Sequence, residues 1–123
     1  MDATDLRALA GRVAAGRGPD PALEAAAAQA LAAAWPGAGI APAGAAGWLV
    51  STDAVLAAVA RALPGWDVTI EGTASAPDGH WTCSLRRSRA LDSDRCIGIG
   101  KDPSLPRALL AALISTAAQG PGD

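Results

Sequence analysis

The chain has no phenylalanine and no tyrosine, and only one histidine, one methionine and two cysteines in 123 residues. Without Phe or Tyr, the large core side chains must be leucine, valine, isoleucine and the four tryptophans. Half of the residues count as hydrophobic, but much of that is alanine, which favours helix while adding little buried area. A two-cysteine metal site would need further ligands, and His80 is the one imidazole on offer. A net charge of -2 supplies no long-range pull on nucleic acid or anionic lipid. No segment reads as a signal peptide. No apolar stretch reaches spanning length without a polar residue or a breaker, so no membrane partner is expected and the cytoplasm is the expected compartment.

A chain of this length builds one modest core. Residues 48 to 70 carry the densest local signals. Ser51 is an N-cap, Asp53 puts negative charge at the start of the helix, and Val50 and Val55 are spaced as a hydrophobic staple. Val55, Leu56, Val59, Ala60 and Leu63 recur at helical spacing, and Pro64-Gly65 stops the helix. Trp66, Val68 and Ile70 then alternate with Asp67, Thr69 and Glu71, the period of a half-buried strand.

Upstream, Thr4 is placed to cap a helix over 5–15, with Leu6, Leu9 and Val13 on one side and Gly16 as its stop. Asp20-Pro21 opens a second helix that ends near Trp35-Pro36, with Leu23, Ala27, Ala30, Leu31 and Ala34 inward. Residues 36–47 are Gly, Ala and Pro with one Ile, and predict an irregular or mobile linker. Downstream, the turn Pro77-Asp78-Gly79 leads to a second strand over 80–87 with Trp81, Cys83 and Leu85 inward. A charged hairpin follows at 88–94, then a third strand over 95–100. Ser104 is placed to cap a last helix bearing Pro106 in its first turn and Leu105, Leu109, Ala112, Leu113 and Ala117 along one side. If Ile97 and Ile99 lie beside Cys83 and Leu85, Cys96 faces the other way, and the two cysteines are separate buried thiols.

The predicted class is therefore α+β: a three-stranded antiparallel sheet flanked by helices, in the order helix-strand-strand-strand-helix, preceded by a helical pair. The divisions are 1–35 for the pair, 36–47 for the linker and 48–119 for the sandwich. The helix at Ser51 and the last helix are expected on one sheet face. The N-terminal pair is left to cover the other face, to form a separate hairpin, or to make a homodimer interface.

Three motifs fall short of chemistry. Gly100-Lys101 is not a phosphate loop, because Arg95 stands where that loop needs glycine and Asp102 where it needs a hydroxyl; the glycines read instead as a closely packed strand. His80 has no Ser, Cys or carboxylate placed to complete a relay. Asp92 and Asp94 are interleaved with Arg89 and Arg95, which suits a solvated hairpin better than a cation site. The candidate contact surface is the arginine cluster Arg86, Arg87, Arg89 and Arg95, since guanidinium forks recognise carboxylates and phosphates. Trp48, at the end of the linker, is a candidate exposed anchor, with Trp35 at the other end. Trp66 and Trp81 are assigned to the core.

Ser51-Thr52-Asp53, Pro64-Gly65-Trp66, the central Trp81 and residues 106–113 (PRALLAAL) together resemble the phage ABA sandwich family of small phage and prophage proteins. Leu6-Arg7-Ala8-Leu9, Gly18-Pro19-Asp20 and Leu23-Glu24-Ala25-Ala26 are similar to a helical extension on relatives in prophages and alphaproteobacterial genomes. The linker departs from relatives that carry a longer polar or cysteine-bearing insert. The resemblance implies a layered fold and a phage setting, with no catalytic motif, metal or cofactor to carry over. It leads to the expectation of a non-enzymatic accessory protein, located in the host cell cytoplasm, that binds a host or phage protein. Inhibition of a host defence complex such as a CRISPR effector is the sharper form of that expectation. Nucleic-acid binding through the arginine hairpin is a separate alternative.

Overall fold

The computed structural model describes residues 2–16, 18–40, 46–72, 81–86, 98–102 and 104–119. Helix α1 (Ala3–Ala15) starts two residues earlier than expected, because the Asp2 carboxylate accepts the Asp5 N–H at 2.9 Å. Thr4 lies within the first turn; a carboxylate at the positive helix end adds charge to the cap that a hydroxyl lacks. Leu6, Leu9 and Val13 are buried as their spacing requires. Helix α2 (Pro21–Ala34) follows its sequence signals closely: Asp20 caps it through the Leu23 N–H at 3.1 Å, Pro21 opens it, and Leu23, Ala27, Ala30 and Leu31 are buried.

A short 3-10 turn at Pro36–Ala38 begins the linker, and Gly39 closes it in the left-handed region at φ 74°. The far end of the linker is held inward. Trp48 and Leu49 are buried, and the Leu49 N–H donates to the buried Glu24 carboxylate of α2 at 3.1 Å. Helix α3 (Thr52–Ala62) is capped by Ser51, whose hydroxyl accepts the Ala54 N–H at 3.2 Å. Val55, Ala58 and Val59 form its buried stripe with Leu63, while Ala60 is exposed. Val50 is 56 % exposed, so the expected staple leaves its first member in solvent. Pro64-Gly65 ends the helix as read, with Gly65 at φ 81°.

Strands β1 (Asp67–Glu71), β2 (Trp81–Arg86) and β3 (Gly98–Asp102) form one antiparallel sheet in the order β1-β2-β3. Cys83 pairs with Gly100 and Leu85 with Gly98, so Ile99 lies opposite Ser84 and is 50 % exposed. This corrects the expectation that Ile99 shares a face with Cys83 and Leu85. In a strand of period two, a one-residue change of register exchanges the faces completely. The two glycines point inward because helix α4 (Leu105–Ala118) lies directly on them. A Cβ built on Gly98 would overlap the Thr116 hydroxyl and the Ala112 carbonyl; one on Gly100 would overlap the Ala108 carbonyl.

Ser104 occupies the N-cap position of α4, yet its hydroxyl makes no cap bond. Instead the buried Asp102 carboxylate accepts the Ser104 N–H at 2.7 Å. Leu109, Ala112, Leu113 and Ala117 are buried as expected, and so is most of the rest of the helix. The reason is position: α4 sits on β2 and β3, and α1, α2 and α3 all pack against it. The N-terminal pair thus covers α4 and shares one hydrophobic core with residues 48–119. It does not form the opposite layer of a sandwich. Trp66 and Trp81 are half-buried and pack against the core from its margin.

Candidate interaction surface

The register assigns each strand residue to a face. Val68, Ile70, Trp81, Cys83, Leu85, Gly98 and Gly100 share the face that α4 meets; Thr69, Glu71, Thr82, Ser84, Arg86 and Ile99 share the outer one. No described side chain on that outer face is buried, although at the β3 edge Ile99 borders a depression with Arg7 of α1 and with Ser115 and Gln119 at the end of α4. Arg86, at the end of β2, is half-buried and lies opposite Asp67 in the ladder. Together with Thr69, Glu71 and Ser84 it lines a shallow depression of about 190 Å³. The surface offers a guanidinium fork, a carboxylate, hydroxyls and one aliphatic side chain, a mixture suited to contact with a polar protein surface.

Of the four clustered arginines, Arg86 alone is described. Arg87, Arg89 and Arg95 lie outside the described residues, as do His80, Asp92, Asp94, Cys96 and Ile97. Trp48 is not the exposed anchor expected of it. Its residue is only 4 % exposed, because burial of an indole gains a large apolar contact and the Glu24–Leu49 bond holds the neighbouring backbone against α2. Trp48 instead walls a cavity of about 340 Å³ with Gly39, Ile40, Ala54, Ala57, Ala58 and Arg61. Trp35 is half-buried and also packs against the core.

Cys83 is an unpaired, fully buried thiol, and loss of solvation pushes its pKa up from 9.0 to about 11. An unfolded thiol ionises from about pH 9.0, whereas the folded one resists until about pH 11. The folded state therefore keeps its full margin from this group below pH 9.0 and loses it as pH rises toward 11. The native protein is expected to resist thiol alkylation at pH 8, with labelling of Cys83 appearing only on unfolding; mass spectrometry after a timed iodoacetamide pulse checks this. Rapid labelling at Cys83 without denaturant would contradict its burial.

Among the described residues three buried charged groups carry structural weight that the sequence did not signal as such: Glu24, Asp102 and Arg107. Arg107 left only a trace, being the one charged residue within an otherwise uncharged fourteen-residue helix. Among the described residues no group of three His, Cys, Asp or Glu side chains is placed to hold a metal ion. Among the same residues, no helix is long and apolar enough to cross a membrane. No family model, curated protein or solved structure matches the chain.

Proposed function

We propose that the protein is a non-enzymatic accessory protein that acts by binding another protein through the outer face of its sheet. The observation that carries this reading is the exposed face itself, where Ile99 stands half in solvent and Arg86, Glu71, Thr69 and Ser84 surround a shallow depression. An aliphatic contact bordered by polar groups of both signs is the usual make-up of a specific, non-obligate interface. The phage or prophage setting, and with it a place in the host cell cytoplasm, rests on the sequence resemblance. Occupying a surface of a host defence complex such as a CRISPR effector is a form of action that needs a stable fold and a contact patch only. Nucleic acid is the second reading, favoured by Arg86, Arg87, Arg89 and Arg95 in one stretch of sequence. Asp67 opposite Arg86, Glu71 on the same depression and the net charge of -2 weigh against it. Homodimerisation through the N-terminal pair is not required, since those helices bury their inner faces on α4 within one chain.

The test is affinity capture of the tagged protein from a bacterial lysate with and without nuclease, run beside Arg86→Glu. The expected result is one stoichiometric, nuclease-resistant protein whose affinity falls about tenfold in the variant, a loss of about 1.4 kcal/mol, while the variant stays folded with a melting temperature lowered by a few degrees at most through the new carboxylate opposite Asp67. Undiminished capture by Arg86→Glu would remove the sheet face as the contact. Recovery of nuclease-sensitive material alone would transfer the proposal to nucleic acid.

A further inference from the structure

The turn between α1 and α2 closes over the first turn of α4, and the side chain beneath it is Arg107, only 1 % exposed. Its Nη1 donates to the Val13 carbonyl at 2.9 Å and its Nη2 to the Gly18 carbonyl at 2.7 Å. Its Nε is buried and has no acceptor. A guanidinium keeps its full charge at every working pH. The two carbonyls offer it dipoles, including the negative end of α1, but no carboxylate among the described residues bonds to it. A buried charge of this kind calls for a counter-charge.

The surroundings supply room for one. Arg107 lines a depression of about 340 Å³ together with Arg12, Ala15, Gly16, Asp20 and Leu23. Arg12 reaches it from the last turn of α1. The one carboxylate in the lining, Asp20, is exposed and already accepts the Leu23 N–H as the cap of α2. The site lies at the positive ends of α2 and α4, which favour negative charge, and at the negative end of α1, which the two guanidinium groups face. Two arginines against one carboxylate leave a local positive excess.

We propose that this depression binds a small tetrahedral oxyanion of the phosphate type, with Arg107 and Arg12 as its charged donors. The donors come from two different helices, α1 and α4. A tetrahedral acceptor can take bonds from such separate directions, whereas a planar carboxylate is matched by a single fork. The site is independent of the sheet-face reading and stands or falls without it.

The test follows the Arg107 Nε–H resonance by NMR in the full-length protein during titration with inorganic phosphate at constant ionic strength. The expected result is a saturable shift of that resonance, with affinity reduced about tenfold or more in Arg12→Ala, whose exposed side chain leaves the fold intact. Acetate at the same concentrations is the control and is expected to give no saturation. A resonance that does not move, or moves linearly without saturating, overturns the site. Equal affinity in Arg12→Ala overturns the assignment of donors, and saturation by acetate overturns the phosphate class.

Discussion

Gly100→Ala is expected to cost about 3 kcal/mol or more and to lower the melting temperature by more than about 10 °C, because the added methyl group has nowhere to go. The new Cβ would overlap the Ala108 carbonyl oxygen and lie 2.6 Å from the Ala112 amide nitrogen. Both are main-chain atoms of α4, so no rotamer change relieves the overlap. The helix must lift from β3, and α1 is packed on its other side. Gly98 faces the same difficulty at Ala112 and Thr116. Gly11 gives the matched control, since a Cβ there meets nothing within 4 Å and Gly11 lies inside α1. Gly11→Ala should be neutral or stabilising by about 0.5–1 kcal/mol. Equal melting temperatures for the two variants would show that α4 does not rest on β3 as described.

Leu109→Ala is expected to destabilise by about 2–5 kcal/mol, measured by urea unfolding. Leu109 is fully exposed to packing and not at all to water, in a helix enclosed by the sheet on one side and by α1, α2 and α3 on others. A cavity in such a place is bounded by several elements, and its walls relax only in part. The half-buried Trp66 provides the comparison. The sequence puts both residues in the core, but the structure places Trp66 at its margin, where truncation lets water replace part of the lost contact. Leu109→Ala should therefore be the more damaging of the two per atom removed. A Leu109 variant of wild-type stability would refute the central position of α4.

The elements that were legible in the sequence are those whose causes are local. Asp20-Pro21, Ser51 and Pro64-Gly65 act on backbone groups within one turn, and each starts or stops a helix where its chemistry says it should. The three-stranded antiparallel sheet and the order of elements follow from the same kind of signal. The register of β3 does not. Hydrophobicity directs Ile99 inward, and the opposite outcome depends on how closely α4 approaches a strand that precedes it in the chain. Glycine spacing at 98 and 100, matched to small residues at 108 and 112, was the available clue. Arg107 bonds to carbonyls 94 and 89 residues away, and Glu24 to an amide 25 residues away. Such pairings have no local periodicity. Trp48 was misplaced for a related reason: a Gly/Ala/Pro linker gives no sign that Leu49 is tied to α2.

Of the candidate surface, the sequence identified Arg86, while its neighbours Thr69, Glu71 and Ser84 emerge only when the ladder sets β1 beside β2. The central claim is that this outer face is the working surface. Its most direct test is hydrogen–deuterium exchange of the chain alone and in complex with the protein it captures. Protection gained in Asp67–Glu71 and Trp81–Arg86, with α1 and α2 unchanged, is the predicted result. Protection confined to α1 and α2, with the strands exchanging as in the isolated chain, would contradict it.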